Sequence, residues 1–138
     1  MTYREGAPLP RILVVAFGGN VVGMDAATGY VVWKAPVDNL GASPPRIHVL
    51  SERVIVVVRE QAYCLTYATG QTLWRTQLPL VADNLLEVGD RLFVGGSGEV
   101  ACLDATGRVL WHERFKGFGM GKVALGVPGL VSQGDADS

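Results

Sequence analysis

Met24-Asp-Ala-Ala-Thr-Gly-Tyr-Val-Val-Trp33 decides how this chain is read, because the sequence writes it three times. Val21 to Trp33 is VVGMDAATGYVVW, Ala62 to Trp74 is AYCLTYATGQTLW, and Val100 to Trp111 is VACLDATGRVLW, one residue shorter before its Thr-Gly. The tryptophans stand 41 and 37 residues apart. Self-similarity at that period, with Trp in the same place each time, indicates a repeat array before it indicates anything else.

The copies are built from strands. In Gln71-Thr-Leu-Trp-Arg-Thr-Gln-Leu78 and Arg108-Val-Leu-Trp-His-Glu-Arg-Phe115 polar and apolar residues trade places at nearly every step, the pattern of a half-buried strand. Helical repeats would need apolar residues three and four apart instead. Each Thr-Gly pair lies between two such runs, and Gly29, Gly70 and Gly107 can take positive φ without steric cost, so each pair marks a hairpin turn. A copy is therefore strand, tight turn, strand ending in Trp, and a period near 40 residues of this kind suits the blades of a propeller.

Asp25-Ala-Ala-Thr-Gly-x-x-x-Trp33 and its two sisters resemble the quinoprotein-type, or PQQ-like, β-propeller repeat, over about residues 12 to 115. The chain is thus similar to outer-membrane assembly and sensor propellers. The resemblance implies that each copy holds the third and fourth strands of a four-stranded blade, and that the Trp docks between neighbouring blades over the Thr-Gly turn. The blade signature is then Asp25, Thr28, Gly29 and Trp33, next Thr69, Gly70 and Trp74, and last Asp104, Thr106, Gly107 and Trp111. Departures from it are Thr66 in place of the Asp in the second copy, and Cys64 and Cys102 where the first copy has Gly23.

At 138 residues and 49% hydrophobic, the chain can bury one core and is too apolar for disorder. Its 12 basic and 13 acidic residues form no basic stripe, which argues against nucleic acid as a partner. Residues 1–10 lack a basic start followed by an apolar core, and no later run is long enough to span a membrane. The expectation is a cytoplasmic protein rather than a mature periplasmic one, with no membrane contact.

Taken in order, residues 1–10 read as an irregular arm and Arg11–Phe17 as a buried strand. Blades follow at about 11–37, 46–78 and 84–115, and an incomplete blade at 122–134, all within one domain of 1–138. Asp38–Pro45 (DNLGASPP) reads as a linker, since Pro-Pro has no place in a central strand. Arg53–Val58 and Ala62–Tyr67 are expected as separate strands, Thr72–Leu78 as the last of its blade, and Leu80–Asn84 as a descent toward the axis. Val123–Val127 and Leu130–Gln133 align with first and second strands of a further blade. The predicted architecture is all-β, a partial propeller of three four-stranded antiparallel blades plus an incomplete terminal one.

Side chains capable of chemistry have structural explanations. His48 and His112 are the only histidines, with no acidic partner at ligand spacing, and read as packing or solvent-edge residues. Asp135 and Asp137 stand at the extreme end, where termini fray. Gly95-Gly96-Ser97-Gly98 joins two strands and opens no helix, so it is a turn rather than a phosphate cradle. Cys64 and Cys102 hold the same position in consecutive copies, and such positions on adjacent blades lie beyond the roughly 7 Å reach of a disulfide. Both are expected as free buried thiols.

The resemblance also implies an enzyme class, quinoprotein dehydrogenases, which hold pyrroloquinoline quinone and calcium with an Asp base and a vicinal cysteine pair. This chain has no Cys-Cys and no carboxylate set outside the repeat. The expectation is a non-catalytic scaffold for protein interaction or assembly, with no catalytic, cofactor-binding or metal residue and no cofactor. The alternative is a quinone-dependent oxidoreductase-like fragment active only in a larger assembly, and a third reading is a cut or engineered propeller segment. Because closed propellers have about four to eight blades, three predict association, as a homodimer forming a six-bladed ring or through another protein. In that ring Val123–Val127 of one chain pairs beside Arg11–Phe17 of the other. Trp74, central in the array, is expected to cost about 3–5 kcal/mol on truncation.

Overall fold

The runs of alternating residues form strands, and the computed structural model describes them over residues 11–37, 45–116 and 121–132. Among these residues there is no helix. β1 (Ile12–Phe17), β2 (Asn20–Asp25) and β3 (Val31–Pro36) make one antiparallel sheet in that order. β4 (Arg46–Val49), β5 (Arg53–Thr66) and β6 (Thr72–Ala82) make a second. β7 (Asn84–Val88), β8 (Arg91–Gly96), β9 (Glu99–Leu103) and β10 (Val109–Glu113) make a third, again in chain order. β11 (Leu125–Val127) and β12 (Leu130–Ser132) form a hairpin against β7. The expected arm at residues 1–10, most of the linker and the terminal carboxylates Asp135 and Asp137 lie outside the described residues.

β5 is one run of 14 residues where the sequence predicts two strands, yet it folds back on itself. Tyr67 N donates to Glu52 O at 2.9 Å, joining the two ends of the run. Arg59 at the middle has φ 52, in the left-handed region few residues with a Cβ enter. The sides alternate accordingly: Val54 and Val56 share a core with Tyr63 and Leu65, whereas Ile55 and Val57 share the other with Ala62 and Cys64. Facing residues change parity across Arg59-Glu60, as a two-residue reversal requires. Ser97 (φ 54) and Gly98 (φ 76) turn the same corner in the third sheet. The second sheet is therefore a four-stranded blade with no visible break between its middle strands.

β6 also outruns its prediction, continuing through Ala82 rather than stopping at Leu78. It tolerates Pro79 because it is the outermost strand of its sheet, where a missing N–H leaves no ladder bond unmade.

The core lies between sheets. One cluster joins Ile12, Val14, Val21 and Trp33 of the first blade to Val54, Val56 and Val58 of the second. The other joins Ile55, Val57, Leu78 and Leu80 to Leu85, Leu92, Val94 and Leu103 of the third. The continuous apolar run Val54–Val58 follows from this, since a middle blade buries both faces and every one of the five is buried. Fully burying one such side chain contributes about 1.5–3 kcal/mol.

Tyr67 closes the first of these interfaces with its hydroxyl, which donates to Ile12 O at 2.6 Å and accepts from Ile12 N at 3.0 Å. Tyr67→Phe is expected to destabilise the chain by about 1–2 kcal/mol and to speed amide exchange at Ile12, which hydrogen exchange read by NMR would detect. Unchanged protection at Ile12 would show that this hydroxyl does not hold the first blade to the second.

Candidate functional site

The signature residues converge on the seams between blades. Val21 to Trp33 folds as a hairpin whose pairing puts Gly23 opposite Trp33. With no side chain at Gly23, the indole lies flat on its own sheet; a Cβ there would come 2.3 Å from Trp33 Cε2. Its other side meets the next blade, where a Cβ on Gly70 would also stand 2.3 Å from the ring. The edge of the ring is held as well, since Trp33 Nε1 donates to Tyr67 O at 2.9 Å.

The second seam repeats the first. Trp74 Nε1 donates to Ala105 O at 3.0 Å, the same position in the following copy, and a Cβ on Gly107 would stand 2.4 Å from its ring. Thr76 adds a hydrogen bond from its hydroxyl to Gly107 O, and Arg53 reaches Ala105 O at 3.4 Å. Burial differs between the two. Trp33 is 7% exposed and Trp74 only partly buried, and the residue opposite differs in step, glycine at Gly23 for Trp33 and cysteine at Cys64 for Trp74.

Trp111 is the third of the set, and it is 47% exposed. Its ring is tilted at 45° to Phe93 with centroids 6.2 Å apart, and among the described residues no Thr-Gly turn lies under it. At the opposite end of the array, a Cβ on Gly29 would meet nothing within 4 Å among the described residues, although its φ of 80 matches those of Gly70 and Gly107.

Asp25 and Asp104 shape the turns on which the tryptophans dock. Asp25 Oδ1 accepts from Ala27 N at 2.8 Å and Thr28 N at 3.0 Å. Asp104 Oδ1 accepts from Thr106 N at 2.9 Å, from the Thr106 hydroxyl, and from Arg108 N at 3.1 Å. In the second copy Thr66 replaces the carboxylate, bonding Thr69 Oγ1 and accepting from Gln71 N at 3.1 Å. The Ala27 N–H above all holds the Asp25 carboxyl below its ordinary range, and the Thr106 hydroxyl does so for Asp104. A carboxylate with a depressed folded pKa stabilises above its unfolded value, and that contribution is lost as pH falls through the folded value. Melting temperature is therefore expected to drop below about pH 4, and Asp25→Asn with Asp104→Asn to flatten that drop while keeping an oxygen acceptor in each turn. An acid limb unchanged in the double variant would assign it to other carboxylates.

Toward the axis, Arg46 and His48 on β4, Asn84 and Leu86 on β7, and Leu130 and Val131 on β12 line a cleft of about 450 Å³ that holds no carboxylate among its described residues. Among the described residues no three His, Cys, Asp or Glu side chains stand close enough to hold a metal ion.

The family described as outer membrane protein assembly factor BamB matches residues 6–79 and again 58–134. The chain belongs to this PQQ-like β-propeller family. No curated protein matches it. Among solved structures, BamB from Moraxella catarrhalis aligns at a TM-score of 0.59 and 23% identity, over 75% of this chain and 33% of that one. A europium-containing methanol dehydrogenase aligns at 0.58 and 16%, over 75% and 23%. The dihydro-heme d1 dehydrogenase NirN, in complex with DHE, aligns at 0.67 and 16%, over 90% and 29%. At these identities the likeness is one of fold, and this chain spans a third or less of each of these structures.

The fold also makes two pairings that sequence spacing conceals. His112 Nε2 meets Glu99 Oε1 at 2.5 Å across the β9–β10 pair, with Arg114 at 3.9 Å from the same oxygen. Thirteen residues separate that His and Glu in the chain, so the acidic partner that spacing does not show is a cross-strand neighbour. Asn84, expected only as a strand start, is buried and donates from Nδ2 to Val123 O at 2.8 Å, tying down the terminal hairpin. The thiols are as expected: Cys64 and Cys102 are free and buried, and burial pushes both above their ordinary pKa.

Proposed function

We propose that this chain is a non-catalytic PQQ-like propeller scaffold that binds protein, and that its assembled form is a six-bladed ring of two copies. The supporting observation is that Asp25 and Asp104 are engaged in shaping their turns, and that Trp33 and Trp74 are engaged in docking on the Gly70 and Gly107 turns of the next blade. What remains is surface for association, with Leu13, Phe17, Val32 and Trp111 about half exposed. Fold alone does not assign function, and the reading stands on how these residues are used.

The oxidoreductase alternative draws on two of the structural neighbours, a methanol dehydrogenase and NirN. Its residues do not fit this chain. A quinone site of the kind the family resemblance implies needs a vicinal cysteine pair and a carboxylate base, whereas Cys64 and Cys102 sit on separate blades inside the packing. Metal analysis and the visible spectrum of the purified protein separate the readings. Calcium and quinone absorbance in one-to-one amounts would overturn the scaffold reading, and capture of a specific protein by the immobilised chain with neither present would support it.

A further inference from the structure

We infer that two copies of this chain join head to tail, with Trp111 of each docking on the Thr28-Gly29 turn of the other. The inference rests on the scaffold reading and names its contact. Each internal seam uses the same three parts, an indole, a glycine of positive φ beneath it, and a carbonyl three residues before that glycine in the first seam and two before it in the second. Among the described residues, the Trp111 indole in the third blade and the Thr28-Gly29 turn in the first have no such counterpart. Trp111 is 47% exposed against 7% for Trp33, and the Cβ position of Gly29 is open among the described residues where those of Gly70 and Gly107 are filled by rings. The carbonyl that corresponds to Tyr67 O is that of Ala26, to which no described residue donates.

The rest of the receiving face fits the same occupant. Leu13 pairs with Met24, and through the repeat its counterparts are Val54 and Leu92, which are 0% and 3% exposed because a blade packs on them. Leu13 itself is 53% exposed and Phe17 48%. Blade one thus carries large apolar side chains at positions that are interior in the other two blades. β1 has a single hydrogen-bonded neighbour, β2, among the described strands, and in the proposed ring the partner's β11–β12 hairpin pairs along its other edge. In its own chain that hairpin lines a pocket with Leu86, Phe93 and Val100 of blade three, while Trp111 on the outermost strand stays 47% exposed. A head-to-tail contact made twice closes two copies into a ring, and six blades fall within the range of about four to eight that propellers adopt.

Two variants test this with the whole chain. Trp111→Ala removes the indole from a half-exposed site. Gly29→Asn fills the receiving position with a residue that accepts the left-handed backbone. Sedimentation is expected to give twice the 14.7 kDa chain mass for the parent, and each variant is expected to weaken self-association by about 30-fold or more, the loss of one central aromatic anchor. Mixing the two variants restores one intact contact, so dimers should reappear in the mixture, which an interface that pairs Trp111 with Trp111 of the other copy would not allow. Unchanged cooperative melting of each variant at low concentration shows that folding is intact; a variant that fails this is replaced by Trp111→Leu or Gly29→Asp. A parent monomer, a dimer indifferent to both substitutions, or no recovery on mixing would each overturn the inference. A monomer that captures a different protein through Trp111 and Gly29 also overturns it, while leaving the scaffold reading in place.

Discussion

Trp33→Ala is expected to destabilise the chain by about 3–5 kcal/mol, the range for truncating a large buried aromatic. The ring touches glycine on both faces and its N–H is bonded to the next blade. Alanine would leave a slot between Gly23 and Gly70 that neither can fill, and would leave Tyr67 O without its donor. Position in the array points instead to Trp74, which has a blade on either side. Burial moves the largest effect to Trp33, since Trp74, which has Cys64 opposite it where Trp33 has Gly23, is only partly buried. Chemical denaturation of the three alanine variants should rank Trp33 above Trp74 and Trp74 above Trp111, read from midpoints at constant slope. A larger loss at Trp74 would mean that the residue opposite the indole, glycine or cysteine, does not set how strongly each seam is held.

Gly70→Ala is expected to cost about 2–4 kcal/mol, and Gly29→Ala only about 1–2 kcal/mol, from adding the overpacking penalty to the cost of a left-handed Cβ in one case and not in the other. The two glycines have φ of 73 and 80, so the backbone cost is nearly shared. Only Gly70 has an indole where its Cβ would go, at 2.3 Å. The difference between the variants therefore isolates docking from backbone strain. The comparison belongs at a concentration where the chain is monomeric, since a docked partner would make Gly29 behave as Gly70 does. Equal losses at monomer concentration would mean that the Trp33 ring can move aside freely.

The parts of this protein that repeat are legible in the sequence. Three copies of a Thr-Gly turn and a Trp specify strand, reversal and strand through local forces alone: positive φ at glycine, an Asp or Thr oxygen capping its own turn, and alternation that puts one side of each strand in a core. The all-β propeller architecture followed, as did the free state of Cys64 and Cys102. Boundaries were less legible. The sequence reads Arg53–Val58 and Ala62–Tyr67 as two strands, and β5 runs through both, reversing at Arg59-Glu60 with no glycine or proline to mark the end of either.

What sequence determined by itself was the set of parts, the blades and the residues that dock them, because these depend on contacts close along the chain or repeated at a fixed period. Tertiary structure alone decided how far each part is used. Trp33, Trp74 and Trp111 occupy the same place in the repeat and differ in exposure because one faces glycine and a neighbouring turn, one faces cysteine and a neighbouring turn, and one has no described turn beside it. His112 finds Glu99, and Asn84 finds Val123, only when antiparallel pairing and the returning hairpin bring distant positions together. Such pairings depend on distances through space, and a sequence read at a fixed period contains no measure of them.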